Sequence, residues 1–203
     1  MPKVGSSVVL REIAAQPRAG FPQRNRFRRE AIDLIEHEAL LDPAYSYRIV
    51  PLDESPRDLL RVGGEVLDAI RLVPESGVLT AIAAAVCTLG PALERRTTAL
   101  FAQRRTSLAL ALDGVGNELL FALSRRLQDR IVAQTRRHRL TVAGELRAGD
   151  PGLPLAAQGA VLRLADAGSV GIDLPPAYWS RCDTCPSLAK CRMGGRAAAP
   201  SMA

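Results

Sequence analysis

Three cysteines near the C-terminal end of the sequence are the residues best suited to chemistry. Cys182 and Cys185 are separated by two residues, and Cys191 follows after five more. A C-x-x-C turn directs two thiolates to one side of the chain, and a third thiolate close by can complete a loop around a metal. In a cytosolic protein such clustering indicates metal or redox chemistry before disulfides. The pattern therefore predicts a thiolate-bound metal centre.

The charge beside these cysteines bears on which metal they bind. Zinc and iron–sulfur clusters both accept thiolate ligands, so ligand type alone does not choose between them. Arg181, Lys190 and Arg192 flank the three cysteines, and such cations offset the negative charge of a thiolate-bound cluster. We predict an iron–sulfur cluster of the 4Fe-4S type, with zinc as the alternative.

The sequence does not identify the fourth ligand of this centre. The candidates are Cys87, a small molecule, a water molecule or a residue of a partner protein. Cys87 lies in the apolar run GVLTAIAAAVCTL, residues 77–89, where a cysteine can equally be a small buried hydrophobic residue.

The two histidines, His37 and His138, lie among charged residues of predicted helices. General acid–base catalysis needs a proton-transfer group positioned beside the reacting atom, and neither histidine has an evident partner for that task. A methyltransferase that acts directly on a small substrate is therefore the least favoured function class.

The basic character of the chain comes from arginine. Lysine and arginine number 27 against 21 acidic residues, for a net charge of +6, and only Lys3 and Lys190 are lysines. This balance is compatible with nucleic acid, but the arginines occur as pairs along predicted helices, which indicates solvated helix faces. Aromatic residues make up 4% of the chain, too few for base-stacking platforms. Nucleic acid is therefore not predicted as a partner.

No targeting or membrane-spanning segment is evident in the sequence. Near the N-terminus only Val8, Val9 and Leu10 form an apolar stretch, which is too short for a secretory signal. No apolar run approaches the roughly 20 residues of a spanning helix. We predict a cytoplasmic protein without a membrane partner.

Apolar periodicity and turn residues predict an α+β fold. The 203 residues, 47% of them hydrophobic, suffice for one buried core. We predict a single domain over residues 27–174 with a mixed or antiparallel sheet packed by helices, an N-terminal arm (1–26) and a cysteine-rich appendage (175–203). The predicted helices cover residues 27–41, 58–70, 91–102, 107–135 and 154–167, and the predicted strands cover 45–52, 77–89 and 168–174, with a further short strand after residue 140.

Two glycines interrupt the strongest helical pattern, residues 107–135. Gly114 and Gly116 each cost about 1 kcal/mol of helix stability relative to alanine. Their presence predicts close approach of either another backbone or a ligand. The sequence leaves both interpretations open.

Three stretches together resemble the reactivation domain of cobalamin-dependent methionine synthase, and more closely its stand-alone relatives. AAVCTLGPALE (84–94) is similar to the family pattern A-x-x-x-T-x-G-x-x-L-E, and LALALDGVGNELL (108–120) contains an L-D-x-x-G helix. RAGDPGLPLAAQ (147–158) resembles the glycine–proline loop S-P-G-Y-x-x-x-P-L-x-x-Q. Some stand-alone relatives also end in a short cysteine cluster.

The resemblance implies an S-adenosylmethionine site at the glycine–proline loop. Gly149 and Pro154 match the loop pattern, whereas Asp150 stands where the family has a tyrosine. The usual arginine aligns with Glu145, and Arg147 can substitute for it after a local shift. The candidate cofactor-binding residues are therefore Arg147, Gly149, Asp150 and Pro154.

The same resemblance implies a cobalamin-linked accessory protein that binds or reductively reactivates a corrinoid-dependent methyltransferase. The cobalamin would be carried by that partner, since 203 residues match an activation-type domain without a corrinoid domain. An electron-donor protein is a second expected partner. The alternative is a zinc-stabilised, non-enzymatic adaptor on the same scaffold.

Overall fold

The structure, a computed structural model, describes residues 22–56 and 58–172. Helices and strands are interspersed along this part of the chain, which confirms the α+β class. The predicted arm before residue 22 and the predicted appendage after residue 174 lie outside the described residues, so the domain boundaries stay predictions. The helices are α1 (Pro22–His37), α2 (Ala92–Ala102), α3 (Thr106–Arg137) and α4 (Gln158–Leu164), and the strands are β1 (Ala44–Pro51), β2 (Leu60–Val62), β3 (Glu65–Leu67) and β4 (Ala81–Thr88).

Packing divides the chain into two compact units, each built from two separate stretches of sequence. Unit 1 takes described residues from 22–45 and 87–137, and unit 2 takes them from 46–86 and 138–172. The single domain predicted from length thus contains two distinct clusters of buried side chains, one in each unit.

Unit 1 is a helical unit organised around α3. The apolar stripe predicted from the sequence is buried, and α1 and α2 pack against α3 along it. Because these side chains recur every three or four residues, they lie on one side of the helix. The buried stripe consists of Leu108, Leu112, Val115, Leu119, Leu123, Leu127 and Ile131.

Arginines of three of the predicted surface pairs join elements of unit 1. Arg28 on α1 pairs with Glu118 on α3 (Nη2 to Oε2, 2.8 Å), with side chains only 15% and 23% exposed. Arg96 on α2 forms a bidentate pair with Glu38. Arg105 pairs with Glu30 on α1 at 2.5 Å. One member of each of these three pairs therefore forms an ion pair within unit 1, where the sequence predicted solvated faces.

Helix α3 is long and apolar enough to cross a membrane when judged by length and composition alone. A core helix of a soluble protein satisfies the same criterion, and a single such helix is weak support for a span. The apolar stripe of α3 is packed against α1 and α2. The core of unit 1 thus accounts for the buried stripe, whereas Leu110 and Phe121 on the same helix are exposed.

The strands form two small sheets. β1 pairs with β4, and β2 pairs with β3 in an antiparallel hairpin. Just outside the first pair, the Asp42 N–H donates to Leu89 O (2.9 Å) and the Leu52 N–H to Thr80 O (3.0 Å). From Asp42 to Leu52 the residue number rises, whereas the number of the bonded partner falls from Leu89 to Thr80, which defines an antiparallel pair. The antiparallel form of the prediction is thus the one observed in the described chain.

The β2–β3 hairpin replaces the helix predicted over residues 58–70, and that prediction is wrong. Gly63 and Gly64 form the two-residue turn, with φ of +57° and +77°. Two consecutive positive φ values suit the tight hairpin turns that match strand twist, and they exclude a right-handed helix. The Asp53 carboxylate accepts the N–H groups of both glycines, at 3.0 and 3.1 Å.

The strand predicted over residues 168–174 is also not observed in its described part. A short 3-10 helix covers Ala167–Val170. Asp166 and Gly171 flank it in the left-handed region, with φ of +54° and +72°. A strand cannot continue through such residues, because they reverse the chain. The short strand predicted after residue 140 is likewise absent, since residues 140–147 have no regular secondary structure.

Candidate functional site

The three clustered cysteines, Cys182, Cys185 and Cys191, lie outside the described residues, so the metal centre stays a prediction. Cys87 is described: it lies near the end of β4, half-buried, against the core of unit 1. Within residues 22–56 and 58–172 no group of three histidine, cysteine or acidic side chains could hold a metal ion. Any such centre therefore depends on the cysteine-rich stretch.

The first family-like motif forms the turn from β4 into α2. The Gly90 N–H donates to the Thr88 hydroxyl at 3.0 Å. Gly90 has a φ of +81°, which a residue with a side chain adopts only with strain. Pro91 then caps α2, and Glu94 lies in its first turn, where a carboxylate is favoured by the helix dipole. The motif residues therefore have a structural role in a tight strand-to-helix turn.

The first and second motifs meet at Gly116. A Cβ built on this buried glycine of α3 would lie 2.8 Å from Leu93 Cδ2 on α2. Real Cβ contacts are longer, so a side chain at position 116 would force Leu93 to shift. Gly116 is accordingly explained by helix packing, which was one of the two interpretations left open.

Gly114 has a different environment. Nothing lies within 4 Å of a Cβ built there, so helix packing does not explain this glycine. Asp113 and Asn117 flank it on the exposed side of α3, and Asn117 Nδ2 donates to Asp113 Oδ2 at 3.3 Å. The interpretation that a ligand or partner approaches α3 stays open at Gly114.

The glycine–proline loop in unit 2 is a compact double turn. The Asp150 N–H donates to Arg147 O (2.8 Å) and the Leu153 N–H donates to Asp150 O (3.0 Å). The Gly149 N–H closes the loop by donating to Leu153 O at 2.9 Å. Leu153 is buried in the core of the unit. The candidate loop residues are therefore held by backbone bonds and one apolar anchor.

Asp150 stabilises this loop from within. Its Oδ2 accepts the Arg147 N–H at 2.9 Å. The side chain of Arg147 pairs with Glu145, Nε to Oε1, at 3.0 Å, and both side chains are about half exposed. The structure thus brings Arg147, Gly149 and Asp150 together, and Pro154 ends the loop with extended backbone angles.

Arg71 also holds the same loop through a hydrogen bond to its backbone. Its Nη1 donates to Pro151 O at 3.0 Å. Gly152, with a φ of +101°, lies so close to the Arg71 side chain that any Cβ would collide with it. Sequence reasoning did not connect Arg71 with this loop, because the contact joins residues 80 positions apart.

A small charged cleft in unit 2 was also missed by sequence reasoning. It has a volume of about 170 Å³ and is lined by Arg48, Val50, Gly63, Glu65, Arg163 and Leu164. Arg163 donates Nε and Nη2 to the two oxygens of Glu65, at 2.6 and 2.9 Å. This hydrogen bonding lowers the pKa of Glu65 below its ordinary value of 4.5. The carboxylate is therefore held in its charged form by the Arg163 guanidinium.

Both histidines are exposed, His37 at the last residue of α1 and His138 directly after α3. The described residues thus offer two arginine-rich sites without a histidine at either. A scan against protein-family models and a search of curated proteins find no match to this chain.

Proposed function

We propose that this chain is a cobalamin-linked accessory protein that binds or reductively reactivates a corrinoid-dependent methyltransferase. The observation that carries the proposal is the cysteine spacing of Cys182, Cys185 and Cys191, together with the three family-like motifs in order. The partners are the corrinoid protein, which carries the cobalamin, and an electron-donor protein.

The chemistry of the donor set supports an iron–sulfur cluster. Three thiolates in one short stretch suit such a cluster, and Arg181, Lys190 and Arg192 beside them offset its negative charge. When bound, a cluster supplies single electrons, as the return of Co(II) to Co(I) on a partner requires. Because thiolates must stay reduced, we place the protein in the cytoplasm.

Each of the two described units would act as a rigid platform. In unit 1, Leu93 closes over Gly116 and interhelical ion pairs such as Arg28–Glu118 join the helices. In unit 2, the glycine–proline loop is fixed by its own backbone. The exposed Arg147 guanidinium on that loop is the group that would meet the carboxylate of S-adenosylmethionine, and Asp150 orients the loop rather than the ligand.

Anaerobic purification tests the proposal. We expect a brown protein with a broad visible absorption that bleaches with dithionite, and stoichiometric iron and sulfide. A variant with Cys182, Cys185 and Cys191 all changed to serine should lose both while the far-ultraviolet circular dichroism is unchanged. Binding of a corrinoid, or of a corrinoid-loaded methyltransferase, is then measured by titration.

Two outcomes would decide against it. Protein that contains no iron and shows no affinity for a corrinoid or for a corrinoid-loaded partner overturns the proposal. A colourless protein with one zinc per chain, lost in the triple serine variant, would instead support the non-enzymatic adaptor.

A further inference from the structure

The charged cleft of unit 2 has the size of a site for a small ligand. Its volume of about 170 Å³ lies below the range of roughly 300–1,000 Å³ that is typical of pockets for drug-sized molecules. Val50 and Leu164 contribute apolar wall, and the remaining side chains of the lining are charged. A compact, charged ligand therefore fits this cleft better than a large organic one.

The charge of the lining specifies an anion. The lining includes two guanidinium side chains, Arg48 and Arg163, and one carboxylate, Glu65. Glu65 is already matched by the bidentate bonds of Arg163. Within the described residues, no carboxylate forms an ion pair with Arg48. The cleft therefore has one unit of positive charge that its own lining does not neutralise.

Arg163 also keeps hydrogen-bond capacity for a ligand. A guanidinium has five N–H donors, and Glu65 takes those of Nε and one of Nη2. Nη1 remains on the far side of the fork, and the side chain is 66% exposed. Arginine forks match the oxygens of carboxylates and phosphates.

We propose that this cleft binds a small oxyanion, a carboxylate or phosphate group, between the guanidinium groups of Arg48 and Arg163. Glu65 orients the Arg163 fork through its two hydrogen bonds.

Isothermal titration of the full chain with inorganic phosphate, and separately with acetate, tests the assignment. Arg48→Ala should weaken binding about tenfold, as expected for loss of a hydrogen bond to a charged group. Arg61→Ala is the matched control: it removes the same charge from the same unit, but Arg61 pairs with Glu54 and is not part of the cleft lining. That variant should bind like the wild type.

Glu65→Gln should change anion binding in the direction opposite to Arg48→Ala. It removes the negative charge that opposes the anion but keeps one oxygen acceptor for the Arg163 fork, so the anion should bind more tightly than to the wild type. Thermal unfolding of each variant verifies that it is folded. The two probes distinguish the ligand class, since tighter phosphate binding indicates a phosphate group and tighter acetate binding a carboxylate. The proposal is overturned if neither probe binds. It is also overturned if Arg48→Ala and Arg61→Ala weaken anion binding equally.

Discussion

Leu93 of α2 packs against Gly116 of α3 so closely that a Cβ on the glycine would lie 2.8 Å from Leu93 Cδ2. The two residues come from two separate stretches of the family-like pattern, L-E and L-D-x-x-G. In unit 1 these two stretches meet at one contact between helices. Leu93 and Gly116 here serve the packing of unit 1.

This contact predicts a difference between two glycines of the same helix. We expect Gly116→Val to lower the free energy of unfolding by about 1–3 kcal/mol more than Gly114→Val, because added methyl groups at Gly116 overpack against Leu93. The change in helix propensity is the same at both positions, so the difference isolates packing. Denaturant unfolding measures it, and equal losses would contradict the contact.

The turn of the β2–β3 hairpin depends on Asp53. We expect Asp53→Ala to lower the free energy of unfolding by about 1 kcal/mol, since it removes the acceptor of two backbone N–H groups. Asp58→Ala serves as control, because Asp58 is exposed and forms no hydrogen bond or ion pair in the described chain. If both variants unfold at the same denaturant concentration, the carboxylate does not support the turn.

Asp150 should govern the local stability of the glycine–proline loop. In Asp150→Ala the Arg147 amide loses its acceptor, so we expect its hydrogen exchange to accelerate by about tenfold, the equivalent of one hydrogen bond. Asp150→Asn keeps an oxygen acceptor and should retain most of the protection. Nuclear magnetic resonance of the amide signals distinguishes the two variants. Unchanged exchange in Asp150→Ala would argue against this bond.

The Glu65–Arg163 pair predicts a pH dependence of stability. A carboxyl whose pKa is lowered in the folded state contributes stability at pH values above its unfolded pKa, and that contribution disappears as the pH falls through the folded value. We expect wild type to be more stable than Glu65→Gln at pH 7, and the difference to shrink as the pH falls below about 4.5. The effect should be small, because Arg163 is largely exposed.

A double-mutant comparison tests whether Arg163 is the group that lowers the pKa of Glu65. In an Arg163→Met background, the pH-dependent change in stability produced by Glu65→Gln should vanish. If it persists at full size, another group lowers the pKa of Glu65.

Cys87 can be separated from the metal centre by substitution. Because its side chain packs against the core of unit 1, we expect Cys87→Ala to retain the iron content of the wild type, whereas Cys185→Ser should lose it. Iron per chain after anaerobic purification gives the measurement. A folded Cys87→Ala protein depleted of iron would make Cys87 a ligand.

The long elements of the fold could be predicted from the sequence. The stripe from Leu108 to Ile131 recurs over many turns, so its helical period is unambiguous, and Pro91 marks where α2 begins. The strand at Ala44–Pro51 was predicted from its β-branched and aromatic residues within one position of its observed ends.

The hairpin was not predicted because each of its strands has only three residues. So few residues cannot display the alternation that distinguishes a strand from a helix. The informative signal was the Gly63–Gly64 pair itself, which is typical of a two-residue turn. Its carboxylate partner, Asp53, precedes it by ten residues.

The charged cleft could not be predicted from the sequence. Glu65 and Arg163 are 98 positions apart, and no local pattern links a residue of a short strand with one of a short helix. The loop residues Arg147 to Pro154 could be singled out by composition, but the role of Asp150 depends on one backbone bond that composition does not specify.

The division of each unit into two stretches sets an order for events during synthesis. Unit 1 has all of its described sequence once Arg137 has been made, whereas residues 46–86 must wait for α4 before unit 2 can close. A nascent chain therefore completes its helical unit first. The cysteine-rich stretch follows the described residues of both units in the sequence, so it is synthesised after them.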